Sequence, residues 1–404
     1  MSGLAASLPD GGTAGIGDPR RNAMALRGFL CQNVAIGSAF GSYGVIVISL
    51  QARFGVGRGL ATLGIALAVL AMGLGSPVAA RLIAGFGLRA TMLGGIALSA
   101  LGNLVLMVAS GFGLMLAAYA LIGVGLAMFG PFPSSVLAAR WFQPKPGAAI
   151  GFVNMPVLVA LVPLMATPVL ASWGLPGLYL ALAAMHALLV PFALGIVDAP
   201  AGMVVAQPAA TGGGGRVLGR PLFWFIATGS GVLHAAGIAA SSHIVALGIE
   251  AGLGNGSAAL LLSIMGTASI AGAFGAGLLC GLIGAPLTLA LIAITTAGAW
   301  ALLPLTHGLG VMAALTLVMG AGGAGVFPSV NVLVGERFGL AQAVRTVGLL
   351  GLATLPFNFG LPPLAGVLHD KAGGYAPVGL AMGAGCAVIA AMFVLMARAP
   401  GKRT

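Results

Sequence analysis

"FGPFPSSVLAARWF" (129–142) returns in altered form as "AGVFPSVNVLVGERF" (324–338). Both copies set Phe-Pro-Ser in an apolar stretch and close on an Arg beside an aromatic. A second pair, "LVPLMATPVLASWG" (161–174) and "LPPLAGVLHDKAG" (361–373), follows in the same order. Echoes that keep their order across half a chain mark a duplicated unit rather than chance likeness. The chain reads as two related halves.

Composition tells what solvent those halves occupy. The chain is 59% hydrophobic and 6% charged, where a soluble domain carries ~25% charged residues. Six acidic and 17 basic side chains cannot cover a water-soluble globule of 404 residues, so lipid must be part of the solvent. The 68 glycines lack a Gly-X-Y period and do not signal collagen. Small residues let helices approach closely in lipid, and Gly37/Gly41 and Gly277/Gly281 are expected contact points. Cys31, Cys280 and Cys386 lie far apart, each in an apolar run, which gives neither metal spacing nor a disulfide framework.

Twelve apolar runs can be drawn: 28–51, 59–80, 90–110, 113–139, 147–171, 176–197, 222–247, 256–280, 286–306, 309–335, 342–367 and 376–397. Each matches the ~20 residues of helix that span a bilayer. Between the sixth and seventh, 198–221 carries four consecutive glycines and several prolines and reads as a flexible linker. The expected organisation is a tail (1–27), a six-helix bundle (28–197), the linker, a second six-helix bundle (222–397) and a tail (398–404). Residues 1–24 hold no short apolar core with a cleavage site, so no removable signal peptide is expected. The predicted fold class is an all-α membrane protein of twelve transmembrane helices in two pseudo-symmetric bundles.

Basic residues set the orientation. With the N-terminus inside, 14 of the 17 Lys and Arg fall in cytoplasmic segments, and only Arg53, Arg58 and Lys371 fall outside. The positive-inside rule then puts both termini and the linker in the cytoplasm. The net charge of +11 reads as topology and contact with anionic lipid headgroups. It is scattered over seven segments and forms no nucleic-acid face.

Six runs, a linker and six more, with paired phrases in the fourth and tenth and in the fifth and eleventh, resemble the major facilitator superfamily. Four stretches are similar, more narrowly, to its monocarboxylate-porter and oxalate/formate-antiporter branch: "GSYGVIVISLQARFGVGRG" (41–59), "RWFQPKPGAAIGF" (140–152), "LLLSIMGTASIAGAF" (260–274) and "PPLAGVLHDKAGGYAP" (362–377). The resemblance implies a secondary transporter working by alternating access around a site between the halves. It also implies a small organic solute, a monocarboxylate-like acid, moving with a proton or against an exchanged anion.

The departures matter equally. In the superfamily the loop after the second helix carries an Asp-Arg pair; here Ala84 and Gly85 occupy those places while Gly87 and Arg89 remain. Where the branch carries a Lys in the first helix and an Asp/Arg pair in the eighth, this chain has Val47, Ser269 and Ala273. The departures put in doubt the conformational coupling that the resemblance implies through the loop's ion pairs.

No Lys, Arg, Asp or Glu lies near the middle of any run, so a substrate must be held by neutral polar groups. The candidates are His234, His243, Asn154, Asn331, Asn358, Ser38 and Tyr43. His234 leads, because an ionisable residue near the midplane is costly and is a functional candidate by default. Ser230 and Ser241, at i−4 and i+7, would extend it into a polar stripe. His243 lies about half a turn of the wheel away and belongs to another wall. Gly87, Arg89 and Arg140 are the candidate gating residues.

No Gly-rich phosphate loop, metal cluster, nucleophile–base motif or Walker sequence is present. An enzyme is not expected, nor a cofactor or metal. The expected partners are a small-molecule substrate and membrane lipids, the expected state a monomer, and the expected place a bacterial inner membrane. An exporter of a neutral or lipophilic compound is the alternative within the class. A non-transporting membrane sensor or scaffold is the alternative outside it.

Overall fold

The computed structural model describes residues 18–56, 58–201 and 217–398. Most of the N-terminal tail, the glycine run of the linker and the last six residues lie outside the described residues. All regular structure among the described residues is helical.

Among the described residues, nine helical stretches are long and apolar enough to cross a membrane. Two of these, of 46 and 48 residues, are each a pair of crossings folded at a glycine: Gly87 (φ 84°, ψ 171°) and Gly174 (φ 64°, ψ −170°). Backbone of this kind is essentially restricted to glycine. The twelfth crossing is the first in the chain, assembled from Arg21–Ile36, a π-helical turn Gly37–Gly41 and Ser42–Phe54.

The crossings are α1 (21–54), α2 (58–86), α3 (88–108), α4 (Phe112–Trp141), α5 (147–173) and α6 (175–194). They continue with α7 (Pro221–Glu250), α8 (Asn255–Ile283), α9 (Ala285–Leu305), α10 (Leu309–Phe338), α11 (340–372) and α12 (Tyr375–Arg398). The predicted runs identify all twelve but stop short at some ends: 81–86, read as loop, is helix. Hydropathy measures hydrocarbon thickness, whereas a helix continues through the headgroups until a glycine stops it.

The duplication is visible in the packing. Gly123 of α4 presses on the Ala68 carbonyl of α2, and Gly320 of α10 on the Met265 carbonyl of α8. These are corresponding helix pairs. The turn between α8 and α9 is made by Gly284 (φ 85°, ψ 155°), the counterpart of Gly87. The opening phrase folds differently in its two copies. Gly130 (φ −80°, ψ −146°) breaks α4 before Pro131, which has no N–H to donate. The second copy has no Gly-Pro pair, and α10 runs unbroken through Pro328.

The halves meet at the end that carries the termini, here the terminal face. There Gly147 and Gly151 of α5 lie against Gly277 of α8, and Ser76 of α2 lies against Gly348 and Gly351 of α11. Gly281, expected as a contact, instead faces open space. It lines a cavity of about 310 Å³ between the halves, with Ser135, Lys145, Asn331 and Glu336. At the opposite face, among the described residues, neither Ser42–Phe54 nor α7 packs to a comparable extent across to the other half.

Candidate functional site

His234 is exposed although it lies in the middle of the 30-residue α7. Gly231 packs on the Phe357 ring of α11, and Gly237 faces the Cα of Gly323 on α10. At 100° per residue His234 points midway between those two contacts. Both α10 and α11 pack against the N-terminal half at the terminal face. The sector between them therefore opens toward the partner half and not toward lipid.

Ser241 shares this face and is exposed, with its hydroxyl bonded to Ile238 O at 2.8 Å. Ser230 does not extend the stripe. It is buried and spends its hydroxyl on Ile226 O at 2.6 Å, as helix-interior serines do when no other acceptor is near. Asn358 lies on the neighbouring α11, between Phe357, which faces α7, and Leu355, which faces Gly73 of α2. Its Oδ1 is buried without a hydrogen-bond partner. His234 and Asn358 thus flank the same α7–α11 contact, each about a turn or less beyond it.

His243 is placed elsewhere. Its Nε2 lies 3.1 Å from Pro362 O and its Nδ1 3.0 Å from the Tyr375 hydroxyl. Both ring nitrogens are engaged within its own half, on the far side of α7 from His234.

The other candidates are engaged within their own halves. Asn154 stands where α5 is interrupted before Pro156, and its Nδ2 donates to Ser135 Oγ and Ile150 O, both at 2.8 Å. Asn331 is buried and donates to Phe327 O at 2.8 Å, beside the cavity at the terminal face rather than the middle of the bilayer. Ser38, in the π turn, donates to Ala35 O at 3.2 Å. Tyr43 is buried, edge-on to Tyr119 at 5.8 Å, and the Tyr119 and Tyr179 hydroxyls pair at 3.2 Å. Three of the four tyrosines thereby form one cluster inside the N-terminal half.

The candidate gating residues converge on an acid that the sequence reading assigned to the linker. Asp198, just after α6, accepts from the backbone N–H of Leu88 at 2.7 Å and of Arg89 at 3.3 Å. Arg140 lies 3.6 Å from the same carboxylate. Gly87 leaves the room: a Cβ there would stand 2.5 Å from Asp198 Oδ2. A negative group at the first amides of α3 satisfies orphan donors and the helix dipole together. A carboxylate from the end of α6 thus holds the α2–α3 turn, where Ala84 and Gly85 stand in place of an acid and an arginine.

Several polar residues had no sequence signal beyond being polar in apolar helix. Asn33 bridges the break in α5, donating to Met155 O and accepting from Leu158 N, both at 2.9 Å. Gln32 donates to Asn154 O at 3.5 Å, leaving its Oε1 and the Asn154 Oδ1 buried without donors. His186 is buried in α6, with Nδ1 2.8 Å from Leu182 O and its ring edge-on to Phe129 at 5.7 Å.

Comparison with known proteins identifies the architecture. The family model described as Major Facilitator Superfamily matches residues 28–355. No curated protein matches the chain. Among solved structures, a variant of the E. coli fucose:proton symporter FucP superposes with a TM-score of 0.73 at 15% identity, over 92% of this chain and 98% of that one. FucP in the outward conformation gives 0.72 at 17% identity, over 92% and 98%. The proton:xylose symporter XylE bound to 6-bromo-6-deoxy-D-glucose gives 0.71 at 14% identity, over 93% and 94%. At such identities the likeness is one of fold. The twelve helices, the repeated halves and the family match agree: this chain is a multi-pass membrane transporter, not an enzyme, and belongs to the Major Facilitator Superfamily.

Proposed function

We propose that the chain moves a small monocarboxylate-like acid together with a proton, by alternating access of its two halves. The observation that carries this reading is His234, exposed at mid-helix toward the space between the halves. A neutral imidazole donates one hydrogen bond to a carboxylate and gains a charge when a proton accompanies it; its reference pKa is ~6.5. No permanent cation then has to be buried in the membrane. Asn358 is the neighbouring amide to orient the acid. The 14-to-3 basic asymmetry makes the terminal face cytoplasmic, so the halves are closed inside and parted outside. Gly87, Arg89 and Arg140, with Asp198, brace the cytoplasmic turn against which the halves close.

Uptake of radiolabelled small acids into proteoliposomes, with and without a pH gradient, tests the proposal. His234→Ala should abolish uptake while the protein still folds. Uptake at the unaltered rate with unaltered pH dependence would make His234 a packing residue.

A second reading has its own observation. Gln32 Oε1 and Asn154 Oδ1 are buried acceptors without donors, which suit a neutral solute bearing hydroxyls better than a carboxylate. Competition of such solutes, and not of acids, for uptake would favour it.

A further inference from the structure

Two of the five described acids meet a single histidine at the face opposite the termini. His369 Nε2 lies 3.0 Å from Glu250 Oε2, and His369 Nδ1 lies 3.0 Å from Asp370 Oδ1. A carboxylate can only accept, and a neutral imidazole carries one N–H. Two hydrogen bonds therefore require two protons on the trio. Whichever atom holds the second, the site has bound one proton more than three resting groups at neutral pH would bring.

The trio does not stand alone. The second oxygen of Glu250 accepts the backbone N–H of Tyr375 at 3.1 Å, and the Tyr375 ring lies 4.3 Å from the His369 ring. The Tyr375 hydroxyl reaches His243 Nδ1 at 3.0 Å. Because His243 Nε2 faces a carbonyl, Pro362 O at 3.1 Å, it must carry the ring hydrogen, so Nδ1 accepts and Tyr375 donates. The chain of contacts runs from α7 (His243, Glu250) through α11 (Pro362, His369, Asp370) to the start of α12 (Tyr375). Lys371 is the neighbouring charge on α11 and is exposed.

We propose that His369, with Glu250 and Asp370, is a proton-binding site that fastens the ends of α7, α11 and α12 at the face opposite the termini. Loss of the proton leaves one donor between two carboxylates. One hydrogen bond is then replaced by an acceptor facing a lone pair; whenever the remaining hydrogen sits on Nδ1 the bond lost is the one to Glu250, and the hold of the end of α7 on α11 falls back on His243 and Pro362 O. That end lies on the helix that carries His234, so protons at the open face set how firmly the mouth of the site is held. The proton site itself depends neither on the substrate nor on the role given to His234.

The test is a titration of the full chain in nanodiscs, labelled at histidine with carbon-13; the spectrum of His369→Gln assigns the resonance. Wild-type His369 should give up its second ring proton at higher pH than in Glu250→Gln or Asp370→Asn. Each carboxylate should be worth about two- to five-fold in proton affinity, as for partly exposed ion pairs. Spin labels at Ala246→Cys and Ala376→Cys, in a background without the three native cysteines, give a second readout. Their separation should be narrowly distributed below the titration and broaden above it. In the permanently charged His369→Arg it should stay narrow throughout. A His369 titration that ignores both carboxylate variants, or a label separation in wild type that ignores pH, would overturn the proposal.

Discussion

Adding one methyl group at Gly277 should turn the transporter inside out. On α8 the position where its Cβ would stand lies 2.8 Å from the Cα and 2.9 Å from the N of Gly151, and presses on the carbonyl of Gly147. All three are backbone atoms of α5 and cannot rotate aside. Ordinary contact begins at 3.4 Å, so α5 and α8 must part by more than half an ångström. Overpacking of this kind costs about 1–3 kcal/mol. The cost falls only on the state in which the two helices touch, so Gly277→Ala biases the two-state equilibrium by about 5- to 150-fold, at 1.4 kcal/mol per tenfold. Ser241→Cys, with Cys31, Cys280 and Cys386 replaced, reports the open face through its rate of alkylation by a membrane-impermeant maleimide. Gly277→Ala should slow that labelling several-fold. Gly281→Ala is the control, since it faces open space one turn away and should change nothing. Unchanged labelling in a folded Gly277→Ala protein would refute the reasoning.

Tyr119→Phe leaves the buried Tyr179 hydroxyl without its partner and should cost about 1–3 kcal/mol in thermal unfolding, with Tyr119→Phe/Tyr179→Phe recovering part of it. Asn33→Leu leaves Leu158 N without its acceptor and Met155 O with only the Val157 N–H at the break in α5. It should cost about 1–3 kcal/mol, and a fully stable variant would show that water serves the break as well. Asp198→Ala removes the acceptor from Leu88 and Arg89 and the partner of Arg140, for about 1–2 kcal/mol by scanning fluorimetry, while Asp198→Asn should keep most of the cap.

The fold was legible because two physical requirements write themselves into sequence. A crossing must be apolar over the hydrocarbon, and a duplicated unit keeps its irregularities, here the Phe-Pro-Ser and Pro-rich phrases. What did not show was where each helix ends. The stretch 81–86 looks like a loop because Arg81 interrupts the apolar run, yet nothing in it breaks a helix until Gly87. Nor could likeness of phrase predict likeness of backbone, since one Gly-Pro pair decides whether α4 or α10 is broken. The acid that holds the α2–α3 turn was equally hidden. Asp198 is 110 residues from Leu88 in the chain and sits in a stretch whose prolines and glycines read as linker.

Within the site, residue type was a poor guide and local backbone a better one. In an apolar medium each freed carbonyl or amide needs a partner, so polar side chains beside Pro or Gly are claimed first by the chain itself. Asn33 repairs the interrupted α5, Asn154 bonds the turn before that break, and Ser230 bonds the preceding turn of its own helix. His234 sits in an unbroken helix with no such demand near it, and among the described residues no hydrogen-bond partner competes for its ring. Having least to do for the fold is what makes His234 the residue proposed for the substrate. By the same rule Asn358, four residues beyond Thr354 where α11 changes segment, should have been claimed for repair. Thr354 itself bonds Leu350 O at 3.0 Å there, and the buried Oδ1 of Asn358, like that of Asn154, is left an acceptor without a donor.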